Sequence, residues 1–372
     1  MPAPPPPPVP SPAPTTERRR AAYAAELALG TDRFHEPRRE DCPWCGAHAL
    51  RIRLTTPDLV QRKPGRFTLA ECRACGHTFQ NPRLTPEGLS FYHWDRRDRC
   101  DHWDAGATHG TRPAPAPSRR RLRDTARAML PYGEPESWLD VGTGAADFPD
   151  AARALFPYTA FDGLDPTPRV VRARDAGRVE EAHIGRLTAP ATAARLRARY
   201  DVVSLLHHLE HTPDPRAELR AALDALRPGG HLLLEVADPR SLSGALLGRW
   251  WLPHTQPHHL HLLPAANLRA ELESQGCDVL STDRHGPHTP HDLAAATSLF
   301  LTRALPSPDA PWRPVPPSGT EARTRRILTR AARPLLTTAR AADLALAPVA
   351  RRTRFSNTYR LIARKDRGLQ DC

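Results

Sequence analysis

From residue 137 onward, apolar and polar positions follow two alternating periods. Short runs that are apolar at almost every position, such as WLDV at 138–141 and HLLLEV at 231–236, are separated by stretches in which apolar residues return every third or fourth position. The first kind predicts a buried strand and the second an amphipathic helix. Strands are predicted at SWLDV, YTAFDGLDP, EEAHIG, YDVVSLLHH, HLLLEVAD and DVLSTDR. Helices lie between them at AADFPDAARALF, PRVVRARDAG, ATAARLRARY, DPRAELRAALDAL (stopped by Pro-Gly-Gly) and AANLRAELESQGC. Strands alternating with helices predict an α/β fold, a parallel sheet with helices on both faces.

The pattern also divides the chain. MPAPPPPPVPSPAPTT has nothing to bury, so residues 1–17 are expected to be a disordered proline-rich tail. Residues 18–94 hold a helix and two short strands, RIRLTT and RFTLAEC, and 95–117 dissolve into charges, glycines and PAPAPS, a linker. SRRRLRDTARAML resumes helical spacing, with Leu122, Ala126, Met129 and Leu130 on one face, and opens a domain running over 118–372. Within it, about 287–355 form a helical insertion in which Ile327, Leu328, Ala331, Leu335 and Leu336 share a stripe opposite arginines. Pro334 interrupts that stripe. Such helices could cap a site, join two copies as a homodimer, or rest on a membrane surface, the last being the least favoured.

Charge changes this picture little. The net charge is +12, but the basic residues are almost all arginine, scattered along the chain, with lysine only at 63 and 365. That bias alongside abundant Ala and Pro reflects codon composition more than a nucleic-acid stripe. No apolar run reaches the ~18 residues of a membrane span, and no secretory pattern follows the start, so a cytoplasmic location is expected.

Cysteines matter more. Cys42-Pro-Trp-Cys45-Gly and Cys72-Arg-Ala-Cys75-Gly are two C-x-x-C-G units, and each presents two thiolates on one turn. Four converging thiolates make a tetrahedral structural zinc site, a zinc ribbon. A redox pair would need only one unit, and a disulfide framework does not suit a reducing compartment.

The strand at 138–141 ends in Gly142-Thr143-Gly144, where backbone amides can approach a ligand at a helix N-terminus. The next strand ends in Asp165, placed to accept hydrogen bonds from ribose hydroxyls. LDVGTGAADF, GLDPTP, YDVVSLLHHLEHTPDP, LRPGG and PHHLHLLPAANLRAELESQG together resemble class I S-adenosylmethionine-dependent methyltransferases, closest to the ubiquinone-pathway O-methyltransferases. The resemblance covers roughly 118–285. QNPRLTPEGL after the cysteines is similar to a stretch that follows a CPxCG ribbon in many bacterial members. It implies a Rossmann-like, seven-stranded sheet whose last strand, SNTYRLIARK, is antiparallel. It also implies S-adenosyl-L-methionine as cofactor, with Asp140, Gly142 and Gly144 at its methionine end, Asp165 on the ribose, and Leu164 and Pro166 flanking the adenosine. Two departures stand out: Ala146 replaces a third glycine, and Arg186-Leu187 stands where an acid would contact adenine.

HHLEH at 207–211 matches H-x-x-E-H, yet a strand before it and Pro213 after it exclude the long helix a zinc peptidase needs. Helical spacing would bring His207, Glu210 and His211 together and turn His208 away. Three readings remain open: hydrogen bonds ordering the strand end, general-base catalysis by His207 or His211, or a second divalent metal, since the cluster resembles the E-x-x-E-H of the ubiquinone-pathway and small-RNA 2′-O-methyltransferases. In QPHHLHLLP, His259 matches a family loop histidine and is the expected partner of His211. Trp250 and Trp251 beside it either wall a substrate or pack. The expected function is methyl transfer to an oxygen or carbon of a small-molecule acceptor, in specialised metabolism. An RNA methyltransferase and a non-catalytic cofactor-binding scaffold are the alternatives.

Overall fold

The computed structural model describes residues 16–92 and 118–366. The linker expected over 95–117 lies outside them, as does the expected tail up to residue 15; a helix already begins at Thr16 and runs to Ala28.

Among the described residues eleven strands form two sheets. They are β1 (Leu50–Pro57), β2 (Arg66–Cys72), β3 (Thr78–Gln80), β4 (Ser137–Val141), β5 (Ala160–Asp165), β6 (Ala182–Ile184), β7 (Tyr200–Leu206), β8 (Leu226–Ala237), β9 (His261–Leu262), β10 (Cys277–Asp283) and β11 (Thr358–Lys365). The large sheet has seven strands in the order β10-β11-β8-β7-β4-β5-β6. The strands from β6 to β8 are parallel, and β11 is antiparallel, as the family resemblance implies, and lies between β8 and β10. Leu232, Leu233 and Leu234 of β8 and Val203 and Leu205 of β7 are all fully buried. Helices cover both faces, so these strands are continuous apolar runs rather than alternating ones. The edge strand β10 alternates buried or half-buried with exposed positions instead.

The small sheet has the order β1-β2-β3-β9. Its last strand does not come from the ribbon. β9 belongs to the histidine-rich loop of the larger domain and pairs Leu262 with Thr78 and His261 with Phe79. Cys42, Trp44 and Phe79 share a buried cluster with Leu209 and Leu263, so the ribbon is packed into the larger domain. A helical segment at 86–92 follows. Phe91 in it is held by Lys63, whose buried Nζ donates to the Phe91 carbonyl at 2.5 Å and lies 5.1–5.2 Å from the ring centroids of Tyr23, Phe91 and Trp312.

One packing expectation changes. Leu122, Ala126 and Met129 are buried, but Leu130 turns outward in a 3₁₀ turn. The insertion between β10 and β11 folds into helices at Asp292–Ala304, Gly319–Ala331 and Arg333–Arg351. Asp343 caps the first by accepting from Leu293 N and Ala294 N, each at 2.9 Å. The stripe opposite the arginines stays exposed at Ile327, Leu328 and Leu335, while small residues such as Ala347 are buried. Among the described residues no helix is long and apolar enough to cross a membrane.

Candidate functional site

The site lies at the carboxyl ends of β4, β5 and β7. Beyond Val141 the chain turns through Gly142 (φ +74°) and Gly144 (φ +57°), left-handed conformations that favour glycine. Ala146 takes φ +57° as well, so the missing third glycine leaves a strained alanine without changing the turn. Gly142 N donates to Leu164 O at 2.8 Å. Asp165 fastens the turn from the neighbouring strand, its Oδ2 accepting from Gly144 N at 3.1 Å and its Oδ1 from Thr167 N at 2.8 Å. A carboxylate has lone pairs to spare beyond these bonds.

A cavity of about 500 Å³ opens in front of this turn. Gly142, Leu164, Asp165 and Pro166 line it, as do Arg186 and Leu187, which stand where the family would place an acid. Gly144 and Asp140 are not on its wall. Asp140 is buried below the turn, where burial pushes its carboxyl up to about 6 while Ser204 Oγ donates to it at 2.6 Å. Its position supports the turn from beneath.

The histidine turn borders the same cavity through His207, His208 and His211. His207 adopts φ +51°, so the chain leaves β7 by a left-handed residue before a single 3₁₀ turn, Leu209–His211. The expected trio still meets: His207 Nδ1 lies 3.4 Å from Glu210 Oε1. Glu210 is buried with its Oε1 accepting from Ala237 N at 2.9 Å. Burial alone would raise its carboxyl, but His207 and His211 outweigh it and hold it at about 2. Arg121 Nη2 lies 3.4 Å from His207 Nε2, so that nitrogen already faces a donor. His211 Nδ1 lies 2.7 Å from the His258 carbonyl, which can only accept, so Nδ1 carries the hydrogen. Nε2 is then the basic nitrogen of neutral His211. The His259 ring stacks on His211 with centroids 4.7 Å apart, which places the two as partners.

The expectation for His208 is reversed. Its Nε2 donates to Glu218 Oε1 at 2.9 Å, and its Nδ1 is so close to Gly142 that a Cβ there would come within 2.5 Å. His208 therefore faces the glycine turn, because the left-handed residue before it rotates the ring away from the helical direction. Trp251 is buried with Nε1 donating to Asp292 at 3.1 Å, and Trp250 packs edge-on to Phe300; both are packing residues.

In the ribbon the sulfurs of Cys42, Cys45, Cys72 and Cys75 all lie within 4.8 Å of one another. The Cys42–Cys75 and Cys45–Cys72 separations are 3.7 and 3.6 Å. Thiolates at ~2.3 Å from a tetrahedral zinc are about 3.8 Å apart, so this donor set fits the ion. Among the described residues the histidine turn forms no such group with His259; the other convergent set is Asp162, Glu181 and His183, where Arg199 also pairs with both carboxylates.

A family profile described as a methyltransferase domain matches residues 116–282, the segment that carries the glycine turn, Asp165 and both histidine clusters. Residues 116–282 form a methyltransferase domain. A ubiquinone biosynthesis O-methyltransferase of Xanthomonas axonopodis pv. citri is 28% identical over 181 residues, 47% of this chain and 74% of the relative. One of Aeromonas salmonicida is 30% identical over 156 residues, 40% of this chain and 65% of the relative. The chain spans 51–65% of the length of the other similar O-methyltransferases. Among solved structures, a sarcosine dimethylglycine methyltransferase from Galdieria sulphuraria aligns with 14% identity and TM-score 0.45 over 75% of this chain and all of that one.

In the methyltransferase domain, S-adenosylmethionine fits the cavity, whose volume is in the range of small-ligand sites and whose wall holds Gly142 and Asp165. Three parts of the site are not evident from sequence motifs. His208 is one, and Arg121 beside His207 is another. The third is the helical segment after the ribbon, which contributes Pro86, Leu89 and Ser90 to the cavity. QNPRLTPEGL resembles a family stretch that follows the ribbon, but that resemblance alone does not place it at the cavity. No residue of the insertion lines this cavity, so of the three readings of those helices the capping of this cavity is not seen, and Pro86, Leu89 and Ser90 border it instead.

Proposed function

We propose that this methyltransferase moves a methyl group to a hydroxyl oxygen of a small molecule, with His211 as general base. When bound, S-adenosylmethionine supplies an electrophilic methyl on sulfur. Asp165, Leu164 and Pro166 would hold its adenosine, and the Gly142–Gly144 turn its amino-acid end. The observation that carries the proposal is the 2.7 Å contact between His211 Nδ1 and the His258 carbonyl. It commits Nε2 to accepting the acceptor's proton, and Glu210 beneath the turn stabilises the imidazolium that forms. His207 is the poorer base because Arg121 faces its Nε2. His259 supports His211 from one side. Oxygen is favoured over carbon by the names of the similar proteins. Roofing of the cavity by Pro86 and Leu89 supports a small acceptor over RNA. In the cysteine cluster, zinc would hold the ribbon's fold.

The test is incubation with radiolabelled S-adenosylmethionine and a small-molecule extract, with RNA in parallel. His211→Gln should lower labelling of the small-molecule fraction by about 10²–10⁴-fold. Its affinity for S-adenosylhomocysteine should stay within about threefold of wild type. Labelled RNA, or full turnover by His211→Gln, would defeat the proposal.

A further inference from the structure

We infer that the cysteine ribbon is a positioning module for the reaction: through Gln80 it holds the 256–262 loop, and through that loop it fixes the tautomer of His211. The inference rests on the reading of His211 as the base. Gln80, at the end of β3, is buried. Its backbone N–H donates to Leu260 O at 3.0 Å, and its side-chain Nε2 donates to Gln256 Oε1 at 2.8 Å. Gln256, also fully buried, passes the constraint on by donating its Nε2 to the His259 carbonyl at 2.6 Å. The preceding carbonyl, that of His258, is the one that faces His211 Nδ1.

The seam is closed from the other side. Leu260 N donates to Glu210 O at 2.7 Å, and Arg83 Nη1 donates to Pro213 O at 2.9 Å. Next to the second cysteine pair, His77 stacks on His261 with ring centroids 5.2 Å apart and nitrogens at 3.1 Å. The loop is thus an added strand of the ribbon's sheet as much as it is part of the catalytic domain. A ribbon of this size depends on its four thiolates and their ion to keep β3 in place. If β3 is displaced, the Nδ1 hydrogen of His211 loses the carbonyl that holds it there.

The experiment uses the metal-loaded full chain labelled with ¹⁵N-histidine, with His211 assigned by the signals missing from His211→Gln. Ring nitrogen shifts report the tautomer directly. Wild type is expected to carry its hydrogen on Nδ1. In Gln80→Leu, and separately in chain stripped of metal by a chelator, the ring should shift to a mixture of tautomers. Amide exchange at Leu260 should accelerate by about tenfold or more. The sheet amides of Val203 and Leu233 should stay protected, and S-adenosylhomocysteine affinity should change by less than about threefold. If Gln80→Leu loses protection throughout the sheet, Gln80→Asn, which keeps the amide but shortens its reach, decides the question. An Nδ1–H ring that persists in both perturbed proteins overturns the inference and leaves the base intact. A wild-type ring with its hydrogen on Nε2 instead removes the base itself.

Discussion

Replacing Gly142 with alanine tests how the cofactor turn and the histidine turn fit together. Gly142 has φ +74°, and a Cβ there would sit 2.5 Å from His208 Nδ1. The left-handed conformation alone costs a non-glycine residue about 1–2 kcal/mol. Relieving the overlap moves the ring and breaks the 2.9 Å bond from His208 Nε2 to Glu218. A hydrogen bond to a charged group contributes roughly 1.5–3 kcal/mol, so the full cost should be about 3–5 kcal/mol. Gly144→Ala is the control: at φ +57° its Cβ meets nothing nearer than Arg169 Nη1 at 3.7 Å. It should cost only the conformational part, about 1–2 kcal/mol. Urea denaturation of both variants, of His208→Ala and of Gly142→Ala/His208→Ala gives the coupling. The double variant should be more stable than additivity predicts by about 1.5–3 kcal/mol. Equal costs at 142 and 144, or strict additivity with His208→Ala, would refute the placement of the His208 ring over the turn.

Other outcomes follow from the same structure. The Glu210 carboxyl is held at about 2 against an ordinary 4.5, so it contributes stability above 4.5 that is lost as pH falls through 2. That contribution amounts to roughly 3 kcal/mol, so the stability gap between wild type and Glu210→Gln should narrow steadily as pH drops across this window, and a constant gap would contradict it. Asp165→Ala should weaken S-adenosylhomocysteine binding by about 10–100-fold in calorimetry, and unchanged affinity would take Asp165 out of the site. Glu235 is buried with Arg360 Nη2 at 2.6 Å and Arg121 Nη2 at 3.1 Å. Glu235→Gln leaves both guanidiniums without their counter-charge and should cost about 3–5 kcal/mol in denaturation, whereas a loss below 1 would show the pair to be solvent-screened. Elemental analysis should find about one zinc per chain, absent from Cys42→Ser/Cys45→Ser.

What could be read from the sequence tracks burial. β7 and β8 are covered on both faces, so their apolar runs were legible, whereas β11, beyond a long insertion, was expected from the family resemblance, which TYRLIA fits. Asp165 falls at the strand end where the sequence puts it, and Leu164 and Pro166, which the resemblance sets beside the adenosine, line the same cavity. β9 has only two residues and no apolar period, so its pairing with the ribbon had no local signature. His208 was misjudged because i, i+3, i+4 reasoning assumes a helix, and the positive φ of His207 breaks that assumption. The stripe through Ile327 and Leu335 left capping, subunit contact and membrane contact open, and within the chain the insertion packs through small residues such as Ala294, Ala295 and Ala347. Periodicity reports amphipathicity and not which side finds a partner.

The placement of β11 bears on how the chain acquires its shape. Among the described residues β10 bonds only to β11, which arrives after the whole three-helix insertion, and β8 likewise waits for it on one side. During synthesis the half-built sheet therefore carries an open border rich in leucine while those helices emerge, the condition under which strands recruit foreign chains. Interruptions of translation inside the insertion should yield insoluble product, whereas lengthening its loops should be tolerated as long as the final strand can still thread between its two neighbours.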